Sequence, residues 1–418
     1  MPHHSDFDLV CVSLTPWESG GYTKSTVQLM TELARRHRVL FVSYAPTLRD
    51  AFRHLTGRRR RPTGAGWTAR LQKTALPHGG HLYVLTPPWV LPINPLPPGR
   101  LYDALLRFNT ARIRRSIRRA MRRLDFSSPV VINALHPTLG LGLLGTLGER
   151  ATVYYCFDEI RAETWSRTHG EPAEQALLRR ADAVVVSSAG LLDRKRTWNP
   201  RCFLVENGVD FALFHRAWPR EAGLAPKTVG YVGAIDNRLD EALLADCFTA
   251  FPNVRFRFIG RVPDPAVAER LRRFANVEFV GAVPPAELPD YLRRLAVGLI
   301  PFVKNEQTRA IYPLKINEYL AAGMPVVTTD FADLSGFAGV VRVAANAAEF
   351  VAALRESLEE TDPEAEQRRI AVARENGWER RGAAFGRVLE ELNPADDTNH
   401  PPAAQHPPPS STAAPPLI

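Results

Sequence analysis

Tyr312-Pro313-Leu314-Lys315-Ile316-Asn317-Glu318-Tyr319-Leu320-Ala321-Ala322-Gly323-Met324-Pro325-Val326-Val327 reads as a short helix followed directly by a buried strand. Pro313 suits the first helical turn, where a missing N–H costs nothing. Gly323 suits the left-handed position just past the helix, and Pro325 stops its continuation. Val326 and Val327 open a β-branched run that closes on Thr328-Thr329.

Lys315 and Glu318 lie three residues apart and share one face of that helix. A cation in the first turn opposes the helix dipole unless an anion sits between them. Glu318, one turn deeper, can accept hydrogen bonds from a diol such as a ribose. A cation for a diphosphate followed by a carboxylate for a ribose describes a nucleotide-sugar site. A plain Lys–Glu surface pair on an ordinary strand–helix unit fits the same spacing.

Working outward, strands alternate with helices in both halves of the chain. In the second half, strands are expected over 228–232, 255–259, 277–280 and 297–300, with glycines at Gly233, Gly260 and Gly281. A helix is expected over 240–251. In the first half, strands are expected over 9–14, 38–43, 82–85, 130–135, 152–156, 183–187 and 203–206. A loop carrying Trp17, Gly20 and Gly21 precedes a helix that Thr23 can cap, with Val27, Met30 and Leu33 inward. Residues 46–80 show no clear element, and 87–98 form a proline-rich loop around Trp89, suited to an active-site flap. This order argues an α/β chain of two doubly wound, Rossmann-like parallel-sheet domains facing across a cleft. Ligands of such sheets bind off the carboxyl ends of the strands. The expected boundaries are a disordered 1–6, a first domain over 7–215, a linker over 216–227 and a second domain over 228–376. A returning helix follows over 377–392, anchored by Trp378, Phe385 and Leu389, then a disordered proline-rich tail over 393–418.

The 418 residues are 45% hydrophobic and 23% charged, which is ordinary for a globular protein. Cys11, Cys156, Cys202 and Cys247 form no CxxC pattern, and three of them sit in apolar strand-like runs and read as reduced core thiols, which fits the cytoplasm. The first residues lack a basic segment and an apolar run, so no secretory signal is expected there. The net charge of +9 points to anionic partners. Arg58-Arg59-Arg60-Arg61 lies in a polar loop. Arg112, Arg114, Arg115, Arg118, Arg119, Arg122 and Arg123 share a helix whose Ile113, Ile117, Met121 and Leu124 recur at helical spacing. Its arginine face fits an anionic membrane surface or a polyanionic acceptor, and also a merely solvated face. No zinc-finger spacing or base-stacking signature accompanies it, so no nucleic acid is expected.

In these motifs the chain resembles the group 1 family of GT-B glycosyltransferases, and bacterial exopolysaccharide and teichuronic acid enzymes in particular. Tyr231-Val232-Gly233-Ala234-Ile235, Phe258-Ile259-Gly260, Asn276 to Gly281, Ile300-Pro301-Phe302 and Pro313 to Gly323 follow in the family's order. Asn207-Gly208-Val209-Asp210 matches the segment entering the interdomain linker. The resemblance implies transfer of a sugar from a nucleotide-sugar donor to a lipid-linked or polymeric cell-surface glycan. No metal and no cofactor are implied, because the nucleotide-sugar is a substrate. It implies Glu318 on the ribose, Lys315 on the diphosphate with Arg261 or Arg238 sharing that charge, and Gly20-Gly21 against the donor or acceptor. Gly233, Pro313 and Leu314 belong to the same donor motifs. Many members carry a second glutamate eight residues before the first, where this chain has Ala310. Sugar recognition must then differ, with Glu306 and Thr308 as nearby substitutes.

An inverting transfer needs a base for the acceptor hydroxyl. Asp158, directly past a buried strand, stands where similar transferases carry an Asp-containing turn. It reads equally as a helix cap. His136 ends the preceding strand, where related enzymes contact the donor sugar; a structural histidine is the other reading. Asp6-Phe7-Asp8 is the one Asp-x-Asp and reads as solvated N-terminus rather than metal site. A sugar-nucleotide epimerase and a catalytically inactive glycan-binding or assembly protein on the same fold are the alternatives. A phosphorylase would need a pyridoxal-phosphate lysine segment that is not seen. The expected place is the cytoplasm, peripheral at the inner face of the plasma membrane.

Overall fold

The computed structural model describes residues 7–17, 24–50, 66, 68–162, 166, 168–221 and 227–392. Gly20, Gly21, Thr23, the Arg58–Arg61 run, 1–6 and the tail from 393 lie outside the described residues.

Each half builds one sheet. The first contains β1 (Asp8–Ser13), β2 (Arg38–Val42), β3 (Arg70–Ala75), β4 (His81–Thr86), β5 (Val130–Ala134), β6 (Ala151–Cys156), β7 (Ala183–Val186) and β8 (Cys202–Leu204). Their order is β3-β4-β2-β1-β5-β6-β7-β8, parallel throughout except for β3. The second sheet contains β9 (Thr228–Val232), β10 (Arg255–Ile259), β11 (Val277–Gly281), β12 (Val297–Ile300), β13 (Val326–Thr329) and β14 (Arg342–Ala344). It is ordered β11-β10-β9-β12-β13-β14 and is parallel. Central strands such as β5, β6, β9 and β13 are buried along their whole length, as parallel strands covered on both faces must be.

Strand β3 pairs antiparallel with β4 from Arg70↔Thr86 to Ala75↔His81, in a region where the sequence shows no clear element. Its side chains are mostly exposed or half-buried, so it carries none of the apolar signal that marks the others. The 87–98 loop is not a free flap. The Asn109 side chain accepts from Leu91 N–H and donates to Leu91 C=O, both at 2.9 Å, and Val90 bridges to Thr47.

Asp8 corrects the solvated reading of Asp6-Phe7-Asp8. It is buried, holds the Arg38 guanidinium at 2.7 and 2.8 Å, and accepts from Ser127 N–H. The carboxylate ties the starts of β1 and β2 to the segment entering β5.

The chain crosses between the halves twice, side by side. Val209 N–H donates to Asn376 C=O at 3.0 Å, and Trp378 N–H returns to Val209 C=O at 3.3 Å. Gly208 permits this, because a Cβ there would stand 2.8 Å from the Trp378 ring. The helix Trp378–Glu390 then packs on the first half. Phe385 meets Tyr155 edge-on at 5.5 Å, and Gly382 leaves room for Glu32. Burying an aromatic of that size stabilises by roughly 1.5–3 kcal/mol, so the closing helix is held by the half it returns to. Among the described residues no helix is long and apolar enough to cross a membrane.

Candidate active site

A cavity of about 330 Å³ opens between the halves. Strand-end glycines make its floor. Gly233 directly follows β9 and Gly260 directly follows β10, with a φ of +155° at Gly260. A Cβ on Gly260 would fall 1.8 Å from the Gly233 carbonyl oxygen, so the two turns meet backbone to backbone.

The helix Leu314–Ala321 makes one wall. Ile316, Asn317, Tyr319 and Leu320 are buried, and the Tyr319 hydroxyl accepts from Val232 N–H at 2.8 Å. That bond locks the helix to the strand end just before Gly233. Lys315 and Glu318 are left on the cavity side, joined Nζ to Oε2 at 2.7 Å, with side chains 30% and 14% exposed. The surface pair and the site are thus one object. Pro313 stands just before the helix rather than in its first turn. Leu314 and Ile316 N–H are already taken by Tyr312 and Pro313 carbonyls. Attraction for an anion therefore falls on the Lys315 side chain more than on the helix amides.

The opposite wall brings Lys24, directly before the helix Ser25–Leu33, and Gln28. Burial lowers the Lys24 pKa, and the Arg261 charge lowers it further. Lys24, Arg261 and Lys315 thus line one cavity, with Glu318 as a carboxylate among them. Sequence reading missed Lys24, although it carries the signal used for Lys315: a cation at a helix N-terminus, against the dipole. Arg238 does not line the cavity. It grips Asp236 through Nε and Nη2, both at 2.8 Å, and covers the Phe302 ring. Its charge instead feels Asp158 of the first half.

β5 ends in a device that fixes His136. Leu135 is forced to a φ of +53°, a conformation rare for a bulky L residue. The Asn133 side chain clamps both His136 backbone groups at 3.1 Å. Gly140 makes the space, since a Cβ there would sit 2.1 Å from Asn133 Nδ2. Burial lowers the imidazole pKa to about 4, so it is neutral near pH 7.

Asp158 follows β6. Its Oδ1 accepts from the adjacent Glu159 N–H at 2.8 Å, and its carbonyl accepts from the Cys156 thiol at 3.3 Å. The Arg161 N–H in the turn that follows goes to Glu159 Oε1, so capping falls to Glu159. Glu159 is itself buried against Lys195 at 3.2 Å and Arg194 at 3.3 Å, and Lys195 also holds Glu174 at 2.8 Å. A buried ion cluster therefore underlies the turn that presents Asp158.

Two expected substitutes for the missing glutamate are placed otherwise. Thr308 is fully buried; its hydroxyl donates to Val303 C=O at 2.6 Å inside a reciprocal cap with Asn305. Glu306 is exposed on the first turn of that short helix. Ala310 is buried in an apolar cluster with Leu135, Tyr154 and Leu191 of the first half. Its carbonyl accepts from Ser188 Oγ at 2.7 Å, so the halves touch where a glutamate would stand. Trp17 packs edge-on to Phe41 at 5.1 Å and its backbone N–H donates to Ser43 Oγ, a framework role beside the loop that leaves β1.

Residues 226–360 match the family described as group 1 glycosyl transferases. A Bacillus subtilis (strain 168) protein named as a teichuronic acid biosynthesis glycosyltransferase, TuaH, is 31% identical over 176 residues, 39% of this chain and 44% of that protein. The match thus spans less than half of that relative's length. Among solved structures, an alpha,alpha-trehalose 6-phosphate synthase from Burkholderia multivorans superposes with a TM-score of 0.67 at 12% identity, covering 92% of this chain and 99% of that one. The sucrose-phosphate synthase of Thermosynechococcus elongatus gives 0.63 at 16%, covering 92% and 99%. The two-sheet architecture is that of the GT-B fold.

Proposed function

We propose that this chain, a GT-B protein whose second half is a group 1 glycosyl transferase domain, moves a sugar from a nucleotide-sugar donor to a lipid-linked or polymeric cell-surface glycan. The carrying observation is the cavity in which Lys24 of the first half meets Arg261 and Lys315 of the second around the Glu318 carboxylate. Three cations suit a diphosphate, and a carboxylate among them suits a ribose diol. Glycosyl transfer leaves negative charge on the departing diphosphate. Fixed cations there stabilise the transition state more than the ground state, and no metal is required of them.

His136 and Asp158 end neighbouring strands of the opposite half. A neutral imidazole suits a hydrogen bond to a sugar hydroxyl. Asp158 is the base of an inverting transfer, accepting the acceptor proton as the glycosidic bond forms. The arginine face of the helix Arg100–Leu124 fits an anionic membrane, which would place the enzyme at the cytoplasmic face of the bilayer.

The test is a panel of sugar nucleotides with extracted lipid acceptors, following nucleotide release and product, with and without chelator. Release with a glycosylated product supports the reading. Conversion of the donor without transfer identifies an epimerase. Binding without turnover identifies a glycan-binding protein, a role that the buried Ala310 would fit.

A further inference from the structure

A second cavity, of about 250 Å³, lies between the halves and shares no lining residue with the first. Val209 lines the first and Asn376 the second. These two are a hydrogen-bonded pair of the crossing, so the crossing stands between the cavities. The halves also touch at the edge of the second cavity. Ser188, which lines it, donates to the Ala310 carbonyl, and Gly190 packs on the Arg309 oxygen. No residue assigned to transfer lines this space.

The lining selects a ligand by its chemistry. Glu206 and Asp333 bring carboxylates, Arg309 and Arg381 bring guanidiniums, and Asn376 brings an amide. The four charges cancel, and a free anion would meet two carboxylates, so a ligand without net charge is favoured. Apolar surface comes from the buried Tyr312 and Phe337 rings, 6.1 Å apart, and from the exposed Leu204 at the end of β8. Groups that donate and accept side by side match adjacent hydroxyls, and an apolar wall matches the C–H face of a ring. Drug-sized ligands occupy about 300–1,000 Å³, so this space suits one sugar ring and not a nucleotide.

We propose that a neutral monosaccharide unit binds in this second cavity and, by bridging the halves, tightens the donor site. A row of polar side chains connects the two. Glu206 holds Arg381 at 3.0 Å, and Arg381 Nη2 donates to Asn376 Oδ1 at 2.6 Å. Asn376 Nδ2 donates to Asn317 Oδ1 at 2.9 Å. Asn317 is fully buried in the helix Leu314–Ala321, directly before Glu318, and donates to the Tyr312 hydroxyl at 2.8 Å. A ligand touching both halves favours the arrangement in which they meet, and that arrangement brings Lys24 to Arg261 and Lys315. By linkage the sugar and the diphosphate then tighten each other's binding by the same factor. This coupling rests on the donor cavity proposed above; the binding of the sugar does not.

The experiment is saturation-transfer NMR of the full chain with glucose, galactose, mannose and N-acetylglucosamine, and with their methyl glycosides. Inorganic phosphate serves as competitor, and melting temperature checks folding. At least one sugar should bind, and phosphate should not displace it. Binding of the free sugar alone identifies a metabolite, and equal binding of its methyl glycoside identifies a unit of a glycan chain; either supports the site. Asp333→Asn and Glu206→Gln should each weaken the sugar about tenfold. Gly336 lines the cavity and a Cβ there meets nothing within 4 Å, so Gly336→Leu narrows the space without a clash at Cβ and should remove the signal. Glu318→Gln should leave sugar binding unchanged. Uridine, guanosine and adenosine diphosphates are then titrated with and without saturating sugar, and the one that binds should gain at least about fivefold. No signal from any sugar overturns the proposal, as does displacement by phosphate. A signal lost in Glu318→Gln but kept in the three cavity variants overturns it too, since the sugar then sits in the first cavity. Sugar binding with unchanged diphosphate affinity removes the coupling. Sugar binding in a chain that takes none of the diphosphates keeps the second site and refutes the donor reading instead.

Discussion

Glu318→Gln probes the ribose assignment most directly, because the structure supplies both sides of the exchange. Glu318 holds Lys315 at 2.7 Å, and the pair is partly exposed. Such a pair contributes at most about 1 kcal/mol. A ribose diol offers Glu318 two charge-assisted hydrogen bonds, worth roughly 1.5–3 kcal/mol each. The diphosphate meanwhile draws Lys315 away, so the pair is exchanged for better partners on both sides. The net gain at the ribose is then roughly 2–5 kcal/mol. Glutamine keeps the shape and one acceptor but loses the charge assistance, so affinity for a nucleoside diphosphate should fall about tenfold or more. Wild type should discriminate against the 2′-deoxy diphosphate by a similar factor, and Glu318→Gln should largely erase that discrimination. Lys315→Met should behave differently: it should weaken the diphosphate while leaving the free nucleoside unchanged, since its partner is phosphate charge. Calorimetric titration of nucleoside, monophosphate, diphosphate and 2′-deoxy diphosphate reads all of this. If Glu318→Gln binds the diphosphate like wild type, or still rejects the deoxy compound, the ribose sits elsewhere.

Asp158→Asn should fold normally and lose about 10²–10⁴-fold in turnover; near-wild-type turnover in the stereochemically assigned reaction would end its role as base. Lys24 loses its charge at lower pH than an ordinary lysine, since burial and Arg261 both depress it. Diphosphate affinity should therefore weaken on the alkaline side, and Lys24→Met should flatten that limb; an unchanged profile refutes the contact. Burial lowers the His136 pKa to about 4 in the folded chain, against the ordinary 6.5 of an exposed imidazole. The unfolded chain thus takes up the proton first, and the stability present above pH 6.5 is lost as pH falls towards 4, by at most about 3 kcal/mol. His136→Gln should remove that part of the acid sensitivity in urea titrations across the window. Lys195→Met takes the one cation from the buried Glu174 carboxylate and leaves Glu159 with Arg194 alone, and should cost roughly 3–5 kcal/mol in chemical denaturation.

Much of this architecture was legible because buried parallel strands announce themselves as short apolar runs, closed by glycine after β9 and β10 and by proline after β12. β9, β10, β12 and β13 occupy the ranges the sequence implies, and Gly323 takes the left-handed φ of +68° its position requires. β3 was not legible, since an exposed edge strand with Arg70, Gln72 and Lys73 has no face to bury. The polar side of the site was read in part. Lys315 and Glu318 were found because helical spacing is local information. The Arg238–Asp236 pairing and the Asn305–Thr308 cap are local too, two and three residues apart, and were open to the same reading, whereas the approach of Lys24 to Arg261 depends on where the chain returns to itself, and spacing carries none of that.

Ala310 shows how the two kinds of information combine. A glutamate at that position would project a carboxylate among Leu135, Tyr154 and Leu191, where desolvation would be severe without a partner. The structure instead seats the Ala310 carbonyl on Ser188 and packs Gly190 so tightly that a Cβ would stand 2.4 Å from the Arg309 oxygen. The space given to sugar recognition elsewhere is here a contact between the halves. Recognition of the donor sugar must then come from groups that still face the cleft. Of the residues proposed for catalysis, His136, just past the carboxyl end of β5, is the one fixed by a strained backbone and a dedicated side-chain clamp. Strain of this kind, about 1–3 kcal/mol, persists only where surrounding contacts impose it. His136→Ala should therefore change the preference among donor sugars while leaving nucleoside diphosphate affinity intact. Competition between donors of different sugar and the same nucleotide measures that preference, and an unaltered ranking in the variant would return His136 to a purely structural role.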